Sequence, residues 1–197
     1  MNKLVIKTVI ITFITFVAVF LMIYACLAAA SPKTVADAWA DLGSYTVSVK
    51  YYEKQYYKTE SVADLATVCD KIDEENDSAR AVEYLSALTG SEEFSAFCAA
   101  EDGKRKTAFT AYEFYYGKYA AAKFYESGID AAITVAKNAA EKGYTDYNAF
   151  RWLISLDALT QEDGEKAAAA IAEMKAGLTD EEQVFADRDI SLAQSIK

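Results

Sequence analysis

The chain has 197 residues, of which 53% are hydrophobic, and a formal net charge of −10. It contains no histidine, which removes the most common general base and metal ligand and disfavours most hydrolase and metalloenzyme mechanisms. With one proline and eight glycines, the composition also disfavours turn-rich β folds and disordered linkers, and it predicts an all-α protein.

The first feature along the chain is an uncharged apolar segment of nineteen residues, from Val9 to Leu27. At about 1.5 Å per residue, a helix of this length crosses a hydrocarbon layer of about 30 Å. Lys3 and Lys7 precede the segment, and this excess of positive charge predicts that the N-terminus lies in the cytoplasm. We therefore expect residues 1–30 to form a cytoplasmic start and a signal anchor that spans the membrane once.

Two alternatives to a retained anchor remain open. The three consecutive alanines that end at Ala30 suit a signal peptidase that cleaves after that residue. The sequence from Ile23 to Cys26 resembles a bacterial lipobox with Cys26 as the lipidated residue, although Tyr24 is bulkier than is usual at its position. All three interpretations place residues 31–197 outside the cytoplasm.

Residues 31–197 have the length of one ordinary domain and a strongly acidic composition. They hold all 30 acidic side chains but only 18 of the 20 basic ones, which gives a net charge of −12. A domain with this charge repels nucleic acid and anionic lipid surfaces. We therefore expect one extracytoplasmic domain that does not bind nucleic acid.

Local start and stop signals divide this domain into eight to ten helices. Capping pairs occur at Ser61 with Asp64, at Thr160 with Asp163 and at Thr179 with Glu182, and Ser31 precedes a proline at a first helical position. Breaks are marked by Gly43, Asn76, Gly90, Gly128 and Gly143. Gly117 lies either at a further turn or inside one helix, and we favour the turn.

Aromatic side chains mark the helix faces that we expect to be buried. One stripe at helical spacing consists of Tyr45, Val49, Tyr52 and Tyr56, and a second consists of Phe109, Tyr112, Tyr116 and Tyr119. Tyrosines on these stripes, Tyr52 among them, are predicted to belong to the core.

A short motif recurs along the predicted helices. Gly43-x-Tyr45-x-x-Ser48-Val49-x-x-Tyr52 returns 33 residues later as Asn76-x-Ser78-x-x-Ala81-Val82-Glu83-Tyr84-Leu85, and Gly117-x-Tyr119-x-x-Ala122 is a third copy. The small residues of the motif let helices approach each other, while the tyrosines fill the gaps between them.

This motif resembles a degenerate form of the tetratricopeptide repeat (TPR), over residues 32–176. The interval between the second and third copies is 41 residues, and the proline that usually separates repeats is absent. The resemblance implies a TPR-like right-handed solenoid of antiparallel helical hairpins. It also implies a protein-interaction scaffold rather than an enzyme, because that family usually binds a protein or peptide along its surface.

Four tyrosines lie off the predicted core stripes and are candidates for contact with a partner. They are Tyr51, Tyr57, Tyr115 and Tyr125. Exposed tyrosine is well suited to partner binding, because it combines a large apolar ring with a polar hydroxyl.

Cys69 and Cys98 fall on helices that a regular stack of hairpins would bring together. In an exported domain they form either a disulfide or two separate buried thiols. A catalytic cysteine is disfavoured, because the chain has no histidine to form its partner.

Together these patterns predict a membrane-anchored scaffold that binds a protein or peptide partner in the cell envelope, with no catalytic residue, cofactor or metal site. One alternative is a structural subunit of a membrane complex, associating through Thr8, Thr12 and Thr15 of the span. A minor alternative is a cell-wall carbohydrate enzyme that uses paired surface carboxylates.

Overall fold

The computed structural model describes residues 3–103, 110–141 and 148–197, and every regular element in these residues is an α-helix. The helices are α1 (Lys3–Ala30), α2 (Pro32–Asp41), α3 (Tyr45–Thr59), α4 (Val62–Lys71), α5 (Ser78–Gly90), α6 (Phe94–Asp102), α7 (Ala111–Ser127), α8 (Ile129–Glu141), α9 (Asn148–Ile154), α10 (Gln161–Lys175) and α11 (Asp180–Gln194). The all-α prediction is confirmed for the described residues. Ten helices follow α1 there, the upper end of the predicted range.

The apolar stretch of α1, Ile6–Ala30, contains 25 residues, and the most apolar 18 of them have a mean hydropathy of 2.7. None of it is buried within the structure. Its length and composition are sufficient to cross a membrane, as predicted, and a signal sequence has the same features. Retention of the anchor, cleavage after Ala30 and lipidation of Cys26 stay alternative predictions.

The chain forms two compact units, Met1–Lys71 and Ile72–Lys197. The first unit contains α1 to α4, and the second contains α5 to α11. This division groups α1 with the three helices that follow it, and α1 packs against α2. The predicted boundary after Ala30 stays a prediction.

In the first unit, α3 packs against both α2 and α4. Tyr52 is buried, as predicted, and its hydroxyl donates a hydrogen bond of 2.5 Å to Oδ1 of Asp37. Burial and this carboxylate raise the pKa of Tyr52 to about 12, and the hydrogen bond lowers the pKa of Asp37. The predicted stripe is shorter than expected, because Tyr45, the first residue of α3, is exposed and Tyr56 is only half-buried.

Most of the predicted helix caps are confirmed. The backbone N–H of Asp64 donates to Ser61 Oγ, and complete capping boxes occur at Thr160 and Thr179. The structure adds a further capping box at Thr110, which the sequence pattern did not predict.

The cap predicted at Ser31 is wrong in one respect. Pro32 occupies the first turn of α2, but the Ser31 side chain makes no capping hydrogen bond. Ser31 is the single residue between α1 and α2, and its backbone N–H donates to the carbonyl of Leu27 in the preceding helix.

The second unit is organised around α7, which packs against α5, α6, α8 and α9. The predicted turn at Gly117 is wrong, because α7 continues through this residue. A Cβ atom placed on Gly117 would lie 2.7 Å from Cγ of Trp152, a residue of α9. The glycine therefore allows close approach of two helices. The first two motif copies each begin two residues before a helix, α3 or α5, and continue into it, whereas the third lies entirely within α7.

Gly117→Ala should destabilise the protein by about 1–3 kcal/mol, because the added methyl group overlaps the Trp152 side chain. Gly90→Ala is the matched control: Gly90 also lies in a helix, but a Cβ atom there meets nothing within 4 Å. That control should gain up to about 1 kcal/mol from helix propensity. Thermal unfolding of the two full-length variants in detergent, followed by circular dichroism, measures the difference. Equal melting temperatures would contradict the close approach.

Candidate functional site

The four candidate tyrosines differ in their exposure. Tyr57 is 63% exposed and is available for contact, whereas Tyr51 and Tyr125 are half-buried. The expectation that Tyr115 lies off the core is wrong, because its side chain is only 2% exposed. Its ring is packed among three phenylalanine rings, those of Phe94, Phe97 and Phe114, at centroid distances of 5.1 to 6.1 Å.

Tyr125 lies near the end of α7, in acidic surroundings. Burial raises the pKa of its hydroxyl, and the negative charges of Glu75 and other nearby carboxylates add to the effect. The carboxylate of Asp73 accepts hydrogen bonds from Asn76, which lower the pKa of Asp73, and Glu74 pairs with the nearly buried Lys118 at 3.0 Å. These carboxylates therefore serve to order the segment before α5.

Cys69 and Cys98 are both buried. Cys69 belongs to the first unit and Cys98 to the second. A disulfide and two separate buried thiols stay alternative predictions.

An exposed apolar face on α11 was not predicted from the sequence. Its side chains are Val184, Phe185 and Leu192, which are 68%, 51% and 46% exposed. Val184 and Leu192 are eight residues apart and Phe185 precedes Leu192 by seven, so the three lie on one side of the helix. We call these three residues the α11 face. The spacing is visible in the sequence, but the pattern alone does not show whether such a stripe points inward or outward.

The opposite side of α11 is held against the second unit. Ala186, Asp189 and Ala193 are buried there, and Asp189 is paired with Arg151 of α9 at 3.1 Å. A Cβ atom on Gly164 of α10 would collide with the backbone carbonyl of Ala193. The glycine and the ion pair together fix the rotation of α11, and this rotation turns the α11 face toward solvent.

Acidic side chains accompany the α11 face. The first turn of α11 contains Asp180, Glu181 and Glu182. Hydrogen bonds from Thr179 hold Glu182 in the capping box and lower its pKa, which keeps it negative. The surface is therefore apolar with carboxylates at its N-terminal end, and the exposed Arg188 lies on the same side of the helix between Val184 and Leu192.

A separate cleft of about 440 Å³ lies between α5, α7 and α8. It is lined by Ser86, Thr89, Gly90, Tyr116, Tyr119, Val135 and Asn138. The side chains that line it among the described residues are uncharged, and their hydroxyl and amide groups can form hydrogen bonds. The Thr89 hydroxyl already donates to the backbone carbonyl of Leu85.

Comparisons with protein-family models, curated proteins and solved structures give no match to this chain.

Arg151→Met should lower the free energy of unfolding by about 3 kcal/mol, because it leaves the Asp189 carboxylate buried beside an apolar side chain. The double variant Arg151→Met/Asp189→Leu should regain much of that loss, since no buried charge remains. Denaturant unfolding of the full-length variants in detergent makes the comparison. A double variant no more stable than the single one would show that the ion pair does not hold α11 in place.

Proposed function

We propose that the chain is a membrane-anchored protein-interaction scaffold that binds a protein or peptide partner in the cell envelope through the α11 face. The observation that carries the proposal is the position of three large apolar side chains on the solvent side of a helix whose other side is firmly packed. Clustered exposed apolar side chains commonly mark interaction sites. The partner segment that fits is apolar, with basic residues where it meets the carboxylates in the first turn of α11.

The anchor and the domain arrangement are part of the same proposal. The length and apolar character of Ile6–Ala30 support a retained span, and Lys3 and Lys7 support an extracytoplasmic location for residues 31–197. A TPR-like arrangement of hairpins is supported by the 33-residue interval that separates the motif copies at the starts of α3 and α5.

A structural subunit associating through the span is the second candidate. Three threonines, Thr8, Thr12 and Thr15, follow one another at intervals of four and three residues along α1. However, the Thr15 hydroxyl donates to the carbonyl of Ile11 within the same helix, which uses its donor locally. The α11 face therefore supports the scaffold more strongly than the threonines support this alternative.

The proposed orientation predicts that a membrane-impermeant protease added to intact cells or sealed spheroplasts digests residues 31–197 and spares the N-terminal lysines. The physical reason is the positive charge before the span, which resists transfer across the membrane. Immunoblots with tags at either terminus report the digestion. Protection of the C-terminal tag in both preparations, with digestion only after lysis, would contradict an extracytoplasmic domain.

The proposed partner site predicts that Val184→Ser/Phe185→Ser abolishes partner capture while leaving the melting temperature nearly unchanged, because both side chains are exposed. Capture is measured by cross-linking in intact cells, followed by affinity purification of the full-length protein from solubilised membranes.

Leu42→Ser is the matched control, since it removes an exposed apolar side chain from the first unit. Tyr57→Ser tests the remaining exposed tyrosine candidate. Retained capture by the α11 double variant would exclude the α11 face. Loss of capture only in Tyr57→Ser would instead place the partner on α3.

A further inference from the structure

A groove of about 590 Å³ lies where α1 ends and α3 runs beside it. One wall is formed by small apolar residues, Ala25, Ala28, Ala29 and Pro32. The other wall is formed by Tyr51, Lys54 and Lys58 of α3, and Tyr24 of α1 completes the lining. The groove thus combines an apolar side that continues the surface of the apolar helix with a basic side.

Three aromatic side chains join the helices beside this groove. The hydroxyl oxygens of Tyr24 and Tyr51 are 2.7 Å apart, and Trp39 Nε1 donates to the Tyr24 hydroxyl at 3.0 Å. The two tyrosine rings meet edge to face, with centroids 6.3 Å apart. Tyrosine and tryptophan at the end of an apolar helix are typical of the level where hydrocarbon gives way to lipid headgroups.

The basic side of the groove lies beside the same end of α1. Lys58 Nζ donates 2.8 Å to the carbonyl oxygen of Ala30, the last residue of α1. Lys54 Nζ lies 4.6 Å from the centroid of the Tyr51 ring. Because an ammonium group has three donors, Lys58 retains two for a ligand. Lys50 precedes Lys54 by four residues, so α3 carries a stripe of three exposed lysines.

The distribution of charge between the two units fits this placement. Residues 1–71 hold seven basic and six acidic side chains, which gives a net charge of +1, whereas residues 72–197 hold 13 and 24, which gives −11. The net negative charge of residues 31–197 predicts repulsion from anionic lipid. Almost all of this charge lies in the second unit.

We propose that this groove binds an anionic phospholipid of the leaflet on the domain's side of the membrane. The phosphate lies between Lys54 and Lys58, and an acyl chain follows Ala25, Ala28 and Ala29. Two cations favour a lipid with net negative charge, because the amine of a zwitterionic headgroup already neutralises its own phosphate. This inference rests on the membrane anchoring proposed above.

The test uses full-length protein in nonionic detergent and native mass spectrometry with added phosphatidylglycerol or phosphatidylcholine of matched acyl chains. The wild type should prefer phosphatidylglycerol. Lys54→Gln/Lys58→Gln should weaken its binding by about tenfold, because two surface lysines lose their attraction to the headgroup. Ala29→Leu, which keeps both charges but fills the apolar wall, should weaken binding of the same lipid.

The matched control is Lys137→Gln/Lys166→Gln, which removes two charges from the surface of the second unit and should leave lipid binding unchanged. Equal binding of the two lipids, or equal losses in both lysine pairs, would overturn the proposal. Displacement of the lipid by inorganic phosphate at the same concentration would show a site for free phosphate instead. Alkaline carbonate extraction of membranes separates the two proposals: release of the chain would refute the anchoring itself, whereas retention without lipid preference would refute only the groove.

Discussion

The second unit depends on the close approach of α7 and α9 at Gly117. Because α7 contacts four other helices, most of its surface is buried, and it carries glycine and alanine at its close contacts and several buried tyrosines elsewhere. Gly117 makes room for the Trp152 side chain, and Ala120, Ala121 and Ala122 are buried one turn later. A second glycine that allows close approach of two helices is Gly164, where α10 lies against the backbone of α11. Two glycines inside helices therefore set the positions of α9 and α11, and through α11 the exposure of the α11 face.

The features that the sequence predicted well are those with local causes. Capping boxes at Thr160 and Thr179 involve residues three apart, so the pattern of hydroxyl and carboxylate is sufficient to locate them. The apolar character of α1 is likewise visible in one continuous segment of the sequence. The prediction of a turn at Gly117 was wrong because the sequence does not distinguish a glycine that ends a helix from one that makes room for a neighbouring side chain. Here the neighbour is Trp152, 35 residues later in the chain. At Gly117, packing between helices outweighs the low helix propensity of glycine.

The candidate site was predicted less well, because exposure depends on which helices pack together. Tyr115 and Tyr57 both lie off the expected stripes, yet one is enclosed by phenylalanine rings and the other points into solvent. An α7 stripe defined by Tyr112 and Tyr116 covers only part of the surface that the four neighbouring helices enclose. The α11 face was not predicted because its exposure depends on the rotation of α11. That rotation is set by contacts with Arg151 and Gly164, which are distant in the sequence.

The net charge of a chain describes its surfaces poorly when the charges are segregated. A net charge of −12 over residues 31–197 argues against any contact with anionic lipid, yet the lysines of α3 lie beside the end of α1 in a unit whose net charge is +1. Screening limits the reach of exposed charges to about 10 Å at ordinary ionic strength, so a bound phosphate experiences Lys54 and Lys58 far more than distant carboxylates. The same reasoning applies to the α11 face, whose electrostatic character is set by the carboxylates of its own first turn and by the exposed Arg188 between Val184 and Leu192. Each proposed partner therefore follows from local chemistry: we propose a negative headgroup for the groove, and for the α11 face an apolar segment with basic residues where it meets the first-turn carboxylates.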